Sequence, residues 1–188
     1  MNNNFDVYLR YMIIIFFTIL GLFYISFLFI RKKRIQRLRR EDKKDINSGS
    51  VGIFFDQDQN VTIIPYVKDK YGVGRALGYV RSVKNPYRKE MLGSMLRDCM
   101  HACQNGTPCT DDYLMKLLGF NGWRKFTEGK RNMSVNYKEG TGIIFNATKR
   151  TVGGAYHLHS PSNRSVIPGD AVDDLIGETI LKVINYCR

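Results

Sequence analysis

The stretch Asn132-Met133-Ser134-Val135-Asn136-Tyr137-Lys138-Glu139-Gly140-Thr141-Gly142-Ile143-Ile144-Phe145-Asn146-Ala147-Thr148 decides the fold class. Met133, Val135 and Tyr137 alternate with Ser134, Asn136 and Lys138, which is the period of a strand with one buried and one wetter face. Glu139-Gly140-Thr141-Gly142 supplies turn chemistry and 143–148 returns, so the stretch predicts an antiparallel hairpin. A third strand is expected over 154–159. Upstream, the β-rich runs 51–55 and 61–67 flank the polar turn Asp56-Gln57-Asp58-Gln59-Asn60 and predict a second hairpin. That turn resembles a calcium loop only superficially: its sixth position is Val61 rather than Gly and its twelfth is Val67 rather than Glu.

Helical patterns separate and follow these strands. Asn85-Pro86 reads as a helix start. Met91, Leu92, Met95, Leu96, Cys99, Met100 and Cys103 then fall at three- and four-residue spacing, one buried stripe. Gln104-Asn105-Gly106-Thr107-Pro108 ends it. A short helix capped at Thr110, with Asp111 and Asp112 in its first turn, stops at Gly119. A last helix is expected to open at Pro168 and Asp170. Its apolar face is Val172, Leu175, Ile176, Thr179, Ile180, Val183, Ile184 and Cys187. The glycine-rich segment 71–82 lacks the third glycine and the strand-to-helix setting of a dinucleotide fingerprint, so it reads as irregular strand or turn. Together these elements predict an α+β domain over 51–188, with a mainly antiparallel sheet packed with helices.

The N-terminal quarter has another character. From Tyr11 through Gly21 to Ile30 there are twenty residues without a charge, and a bilayer core about 30 Å thick needs about 20 helical residues. Arg31, Lys32, Lys33 and Arg34 follow at once, and residues 31–44 hold nine Lys/Arg against two acids. The expectation is a short extracytoplasmic N-terminus (1–10), a transmembrane helix (11–30), and a basic stalk and linker (31–50). Basic flanks stay on the cytoplasmic side, which puts the N-terminus outside and orients the domain inward. Residues 31–44 thus carry +7 of the net charge of +12. It is explained there as a stop signal beside anionic lipid, so no direct nucleic-acid binding is expected.

The residues that carry chemistry are sparse. Four cysteines (Cys99, Cys103, Cys109, Cys187) suit a reduced compartment, and Cys99 and Cys103 behave as small core residues. His101 lies on the other side of the helix from Cys99 and Cys103, which argues against zinc. His157 and His159, two apart on an expected strand, share a face. They would serve as the acid–base pair of a membrane-tethered phosphodiesterase, the alternative function. No nucleophile elbow, phosphate loop or zincin motif is present, so no catalytic residue, metal or cofactor is assigned.

Two stretches carry a resemblance. Leu117-Leu118-Gly119-Phe120-Asn121-Gly122-Trp123-Arg124-Lys125-Phe126, followed by Met133-Ser134-Val135-Asn136-Tyr137, resembles the central motif of a family of bacterial contact-dependent growth-inhibition immunity proteins. Leu175-Ile176-Gly177-Glu178-Thr179-Ile180-Leu181, through Cys187-Arg188, resembles that family's final helix. Gly119, Phe120, Trp123, Phe126, Gly177 and Glu178 are its scaffold residues here. The resemblance implies a non-enzymatic immunity protein that binds a toxin C-terminal domain, commonly a nuclease, delivered by a neighbouring cell, and neutralises it in the cytoplasm. Arg124, Lys125, Lys130 and Arg131 form a basic cluster suited to an acidic toxin face. A membrane-anchored recruitment domain is the further alternative.

Overall fold

The computed structural model describes residues 49–69 and 71–188. The expected transmembrane helix, its basic flank and nearly all of the stalk lie outside them. Among the described residues, no helix is long and apolar enough to cross a membrane.

Both expected hairpins form. β1 (Ser50–Phe55) pairs antiparallel with β2 (Val61–Lys68), Phe55 facing Val61 across the turn. β5 (Arg131–Lys138) pairs with β6 (Gly142–Arg150), Lys138 facing Gly142. The first turn closes on itself: the Asp56 carboxylate accepts from the Asn60 backbone N–H at 2.8 Å and from its side-chain amide at 3.0 Å. β1 pairs with β5, with Ile53 opposite Met133, so the hairpins merge into a central order β2-β1-β5-β6. Short strands complete each side. β3 (Gly74–Ala76) and β4 (Arg81–Val83) share the outer edge of β2, while β7 (Tyr156–Leu158) and β8 (Arg164–Ile167) share that of β6.

The period of two sorts the side chains. Val51, Ile53, Phe55, Val61, Ile63, Met133, Val135, Ile143 and Phe145 point one way, into the larger core beneath α1 (Lys89–Asn105) and α4 (Asp173–Val183). Full burial of such a side chain contributes roughly 1.5–3 kcal/mol, so this layer dominates stability. The stripe of α1 lies in it from Leu92 to Cys103, but Met91, expected to head it, is exposed.

α1 and α4 approach closely because two glycines let them. A Cβ on Gly93 would collide with the backbone of Asp173, and one on Gly177 with the carbonyl of Lys89. Beside these contacts, buried Arg97 donates to Asp173 at 3.0 Å and to the Ala171 carbonyl at 2.6 Å. Lys89 reaches Asp174 at 2.9 Å and Glu178 at 3.9 Å. The helix seam therefore combines backbone contact with charge pairing.

Several boundaries differ from expectation. Asn85-Pro86 does not open a helix. The bond is cis, and the Asn85 N–H donates to the Asn60 side chain at 3.0 Å, tying that segment to the first turn. α1 starts at Lys89. Pro168 and Asp170 likewise precede α4, forming a turn in which the Ala171 N–H donates to the Pro168 carbonyl at 3.2 Å. Strand β7 covers only 156–158 of the expected 154–159, because Gly154 (φ +87°) belongs to the preceding turn. β8 and the short helix α3 (Trp123–Thr127) were not foreseen.

α2 (Asp111–Leu118) is capped as expected: Thr110 accepts from the Tyr113 N–H at 3.3 Å, and Gly119 ends it at φ +75°. α2 and α3 lie on the opposite face of the sheet from α1 and α4. They enclose a smaller core of Phe54, Ile64, Ala76, Leu114, Met115 and Phe126.

Candidate functional site: the open half of the sheet

That second face is covered unevenly. Phe54 is the hub of its closed half, meeting Trp123 (5.7 Å between centroids), Phe126 (5.0 Å) and Tyr156 (5.9 Å) edge-on. Phe120 packs edge-on against Phe126 at 5.4 Å. These are the geometries that aromatic quadrupoles favour. The scaffold residues Phe120, Trp123 and Phe126 are thus one aromatic cluster, with Phe126 fully buried and Trp123 half-buried. Tyr156 is held from above, its hydroxyl donating to the Lys130 carbonyl at 2.9 Å.

Beyond this cluster, β5 and β6 present polar side chains to the same face. The register sets two rows. One runs Ile64, Gly52, Ser134, Asn146, Arg164 from β2 to β8, and the next runs Tyr66, Ser50, Asn136, Ile144, Val166. Ser134, Asn136 and Asn146 are half-buried, and Arg164 and Val166 are exposed. Deeper, Asn132 and Thr148 satisfy one another: the Thr148 hydroxyl donates to the Asn132 carbonyl at 2.6 Å, and the Asn132 amide donates to the Ile53 carbonyl at 3.1 Å. Where the rows meet the aromatic cluster lies a recess of about 280 Å³, walled by Phe54, Tyr66, Trp123 and Tyr156 and floored by Gly52 and Ser134.

The basic cluster expected from sequence does not present as one patch. Arg124 and Lys125 are exposed on α3, with Lys125 bound to Glu128 at 3.1 Å. Lys130 instead lies over the Phe126 ring at 3.9 Å and the Phe120 ring at 4.7 Å, a cation–π arrangement. Burial there holds its ammonium below the usual lysine range. Arg131 is half-buried and donates to Gln59 at 2.7 Å and to the Ile184 carbonyl at 3.3 Å. The cations that accompany the open face are others: Lys138 and Arg164 are exposed, and half-buried Arg150 donates to the Arg124 carbonyl at 3.4 Å.

Gly177 and Glu178 belong to the helix seam, far from chemistry. His157 stands opposite Lys149 on β7 and is exposed; His159 lies just past the strand end, half-buried. Neither lines the recess. Burial pushes the Cys99 thiol up to about 12, and the Cys103, Cys109 and Cys187 thiols also rise above their ordinary value. None of these four thiols is poised as a nucleophile or thiolate ligand. Among the described residues, no three His, Cys, Asp or Glu side chains converge to hold a metal.

Gly52, Ser134, Asn146, Arg164 and Tyr156 were not singled out from sequence as site residues. One signal was present: a glycine inside a strand otherwise built of Val, Ile and Phe marks close approach by another group.

No protein-family model matches the chain, and no curated protein matches it. The solved structures that share its fold include two at 12% and 13% identity. One is a Protein of Unknown Function, NMB0488, from Neisseria meningitidis, with a TM-score of 0.58 at 12% identity, covering 77% of this chain and 98% of that one. The other is a chain of the CdiA-CT/CdiI toxin and immunity complex from Yersinia pseudotuberculosis, with a TM-score of 0.58 at 13% identity, covering 77% of this chain and 100% of that one. The α+β fold is therefore that of a chain in a toxin–immunity complex.

Proposed function

We propose that this protein is an immunity protein, a binding module that neutralises the toxin domain of a contact-dependent growth-inhibition system. The observation that carries this reading is the fold match to the toxin–immunity complex, which spans the whole of the matched chain. Support comes from the scaffold motif, whose residues serve structural joints: Gly119 ends α2, Phe126 centres the aromatic cluster, and Gly177 sets the helix seam. An immunity protein acts by covering the toxin and needs no acid–base pair, metal or cofactor. The open, half-polar sheet face has the character of a surface that binds protein. A nuclease toxin acting in the cytoplasm fits this reading, with residues 11–30 as an inner-membrane tether that raises the inhibitor's local concentration at the site of toxin entry.

The test is growth protection. Sensitive bacteria given the full chain are challenged with the toxin tail encoded immediately upstream of it, where one exists there; survival is expected, and death at control rates would end the immunity reading. Fractionation of the same cells tests the tether. Recovery of the full chain in the membrane fraction is expected, and recovery in the soluble fraction would remove the tether while leaving protection intact.

A further inference from the structure

Building on the immunity reading, we infer that the toxin docks on the open half of the second sheet face, inserting one large apolar side chain into the recess over Gly52 and placing carboxylates against the Arg124–Lys138–Arg164 rim.

Three independent observations converge on this surface. The first is Gly52. It sits in a central strand, paired on both sides with Ile64 and Ser134. Glycine there weakens a strand, and valine would ordinarily fill the place. A Cβ would stand 3.0 Å from the Phe54 ring and 3.2 Å from the Tyr66 ring, so a side chain would crowd both rings and occupy the recess. The glycine makes room for those two rings, which with Trp123 and Tyr156 bound the recess.

The second is the recess itself. At about 280 Å³ it is smaller than the roughly 300–1,000 Å³ of small-molecule sites but roomy enough for a single large side chain. Its walls are already fixed, Trp123 by Phe54 and Phe126, and Tyr156 by its bond to the Lys130 carbonyl. Filling a rigid aromatic recess costs little ordering entropy, which is how anchor residues concentrate binding energy. The adjoining Ser134, Asn136 and Asn146 supply hydroxyl and amide groups for a partner's polar atoms. The rings meet edge-on within the fold rather than offering a row of open faces, which disfavours a stacked single strand of nucleic acid.

The third is charge. Residues 121–169 hold eight Lys/Arg against two acids, while the remainder of 45–188 holds eleven against twelve. The domain's positive excess therefore belongs to the segments that build this half of the sheet. Arg124, Lys138 and Arg164 are exposed, and although Arg124 shares the field of Glu128 with Lys125, the three present positive charge to an acidic partner face.

The test is titration of the full chain, purified in mild detergent, with the same toxin domain that the growth assay uses. The double substitution Asn146→Glu with Arg164→Glu, which removes one positive charge and adds two negative ones, is expected to weaken binding roughly 30-fold or more through like-charge contact. Trp123→Ala is expected to do the same by removing a wall of the anchor recess. Ser94→Glu and Lys182→Glu, exposed on the helix layer, are the controls and should bind as the parent does. Thermal melts accompany each variant, and Arg164→Glu alone, at an exposed position, keeps the test valid where the other variants unfold. Parent binding with unchanged binding by the folded face variants overturns the docking surface and leaves the immunity reading standing. No binding by the parent overturns that reading and this inference with it. Binding of a 12-nucleotide RNA that the face variants abolish, with the toxin ignored, would reassign the surface to nucleic acid.

Discussion

Gly177→Ala should destabilise this protein, although on an ordinary exposed helix the same change is stabilising by about 1 kcal/mol through helix propensity. The new Cβ would meet the Lys89 backbone, standing 2.6 Å from its carbonyl carbon and 3.0 Å from its Cα, where ordinary contact begins at 3.4 Å. The obstruction is main chain at the start of α1, so no rotamer change relieves it. α1 and α4 must part by roughly 1 Å, which loosens dispersion contacts along a seam containing Leu92, Leu96, Ile176 and Ile180. Overpacking of this kind costs about 1–3 kcal/mol, and the rigid neighbour puts it at the upper end. After the propensity gain, the net loss is about 2 kcal/mol. For a domain of this size that lowers Tm by roughly 6–8 °C. Urea denaturation followed by circular dichroism measures it, with Gly153→Ala, which meets nothing within 4 Å, as the reference. A Gly177→Ala midpoint equal to or above the parent's would refute the account of the helix seam.

Other outcomes follow from the same coordinates. Arg97→Ala removes the guanidinium that faces Asp173 at 3.0 Å in a buried seam, and should cost about 3–5 kcal/mol in denaturant; a loss under 1 kcal/mol would mean the seam does not depend on the pair. Cys99 stays protonated in the fold because burial raises its thiol to about 12, whereas the unfolded thiol ionises near 8.5. Stability from this group is thus intact below about pH 8.5 and falls by up to about 1.4 kcal/mol per pH unit as pH rises from there toward 12. Cys99→Ala should flatten that alkaline slope, and an unchanged slope would assign it elsewhere. His157→Ala with His159→Ala should leave protection unchanged in the growth assay, since neither lines the recess; loss of protection by a variant that melts normally would revive the phosphodiesterase alternative.

Periodicity carried much of the fold. The alternation in 132–148 announced a half-buried strand pair, and the structure returns that hairpin with the expected turn, because side-chain direction in a strand is set by position alone. Thr110 and Gly119 were equally plain as helix ends, since capping and left-handed backbone are local chemistry. Asn85-Pro86 misled for a complementary reason. Its residues suit a helix start, but the side-chain oxygen of Asn60, twenty-five positions away, accepts from the Asn85 N–H instead. The single turn of α3 was invisible because five residues are too few to show a helical period.

The candidate site was less legible. The sequence by itself determined which strand residues are polar and which apolar, that Gly177 and Gly119 stand at joints of a recognisable motif, and that positive charge gathers after residue 120. Only the tertiary structure decided that β1 lies beside β5. That pairing puts Gly52 next to Ser134 and completes a row whose members are dozens of positions apart in the chain. It also divided the basic residues, drawing Lys130 onto the Phe126 ring and Arg131 toward Gln59 while leaving Arg124 and Arg164 in solvent. Strand direction is a property of neighbours in sequence, whereas a binding surface is made by neighbours in space, and long-range pairing alone chooses those.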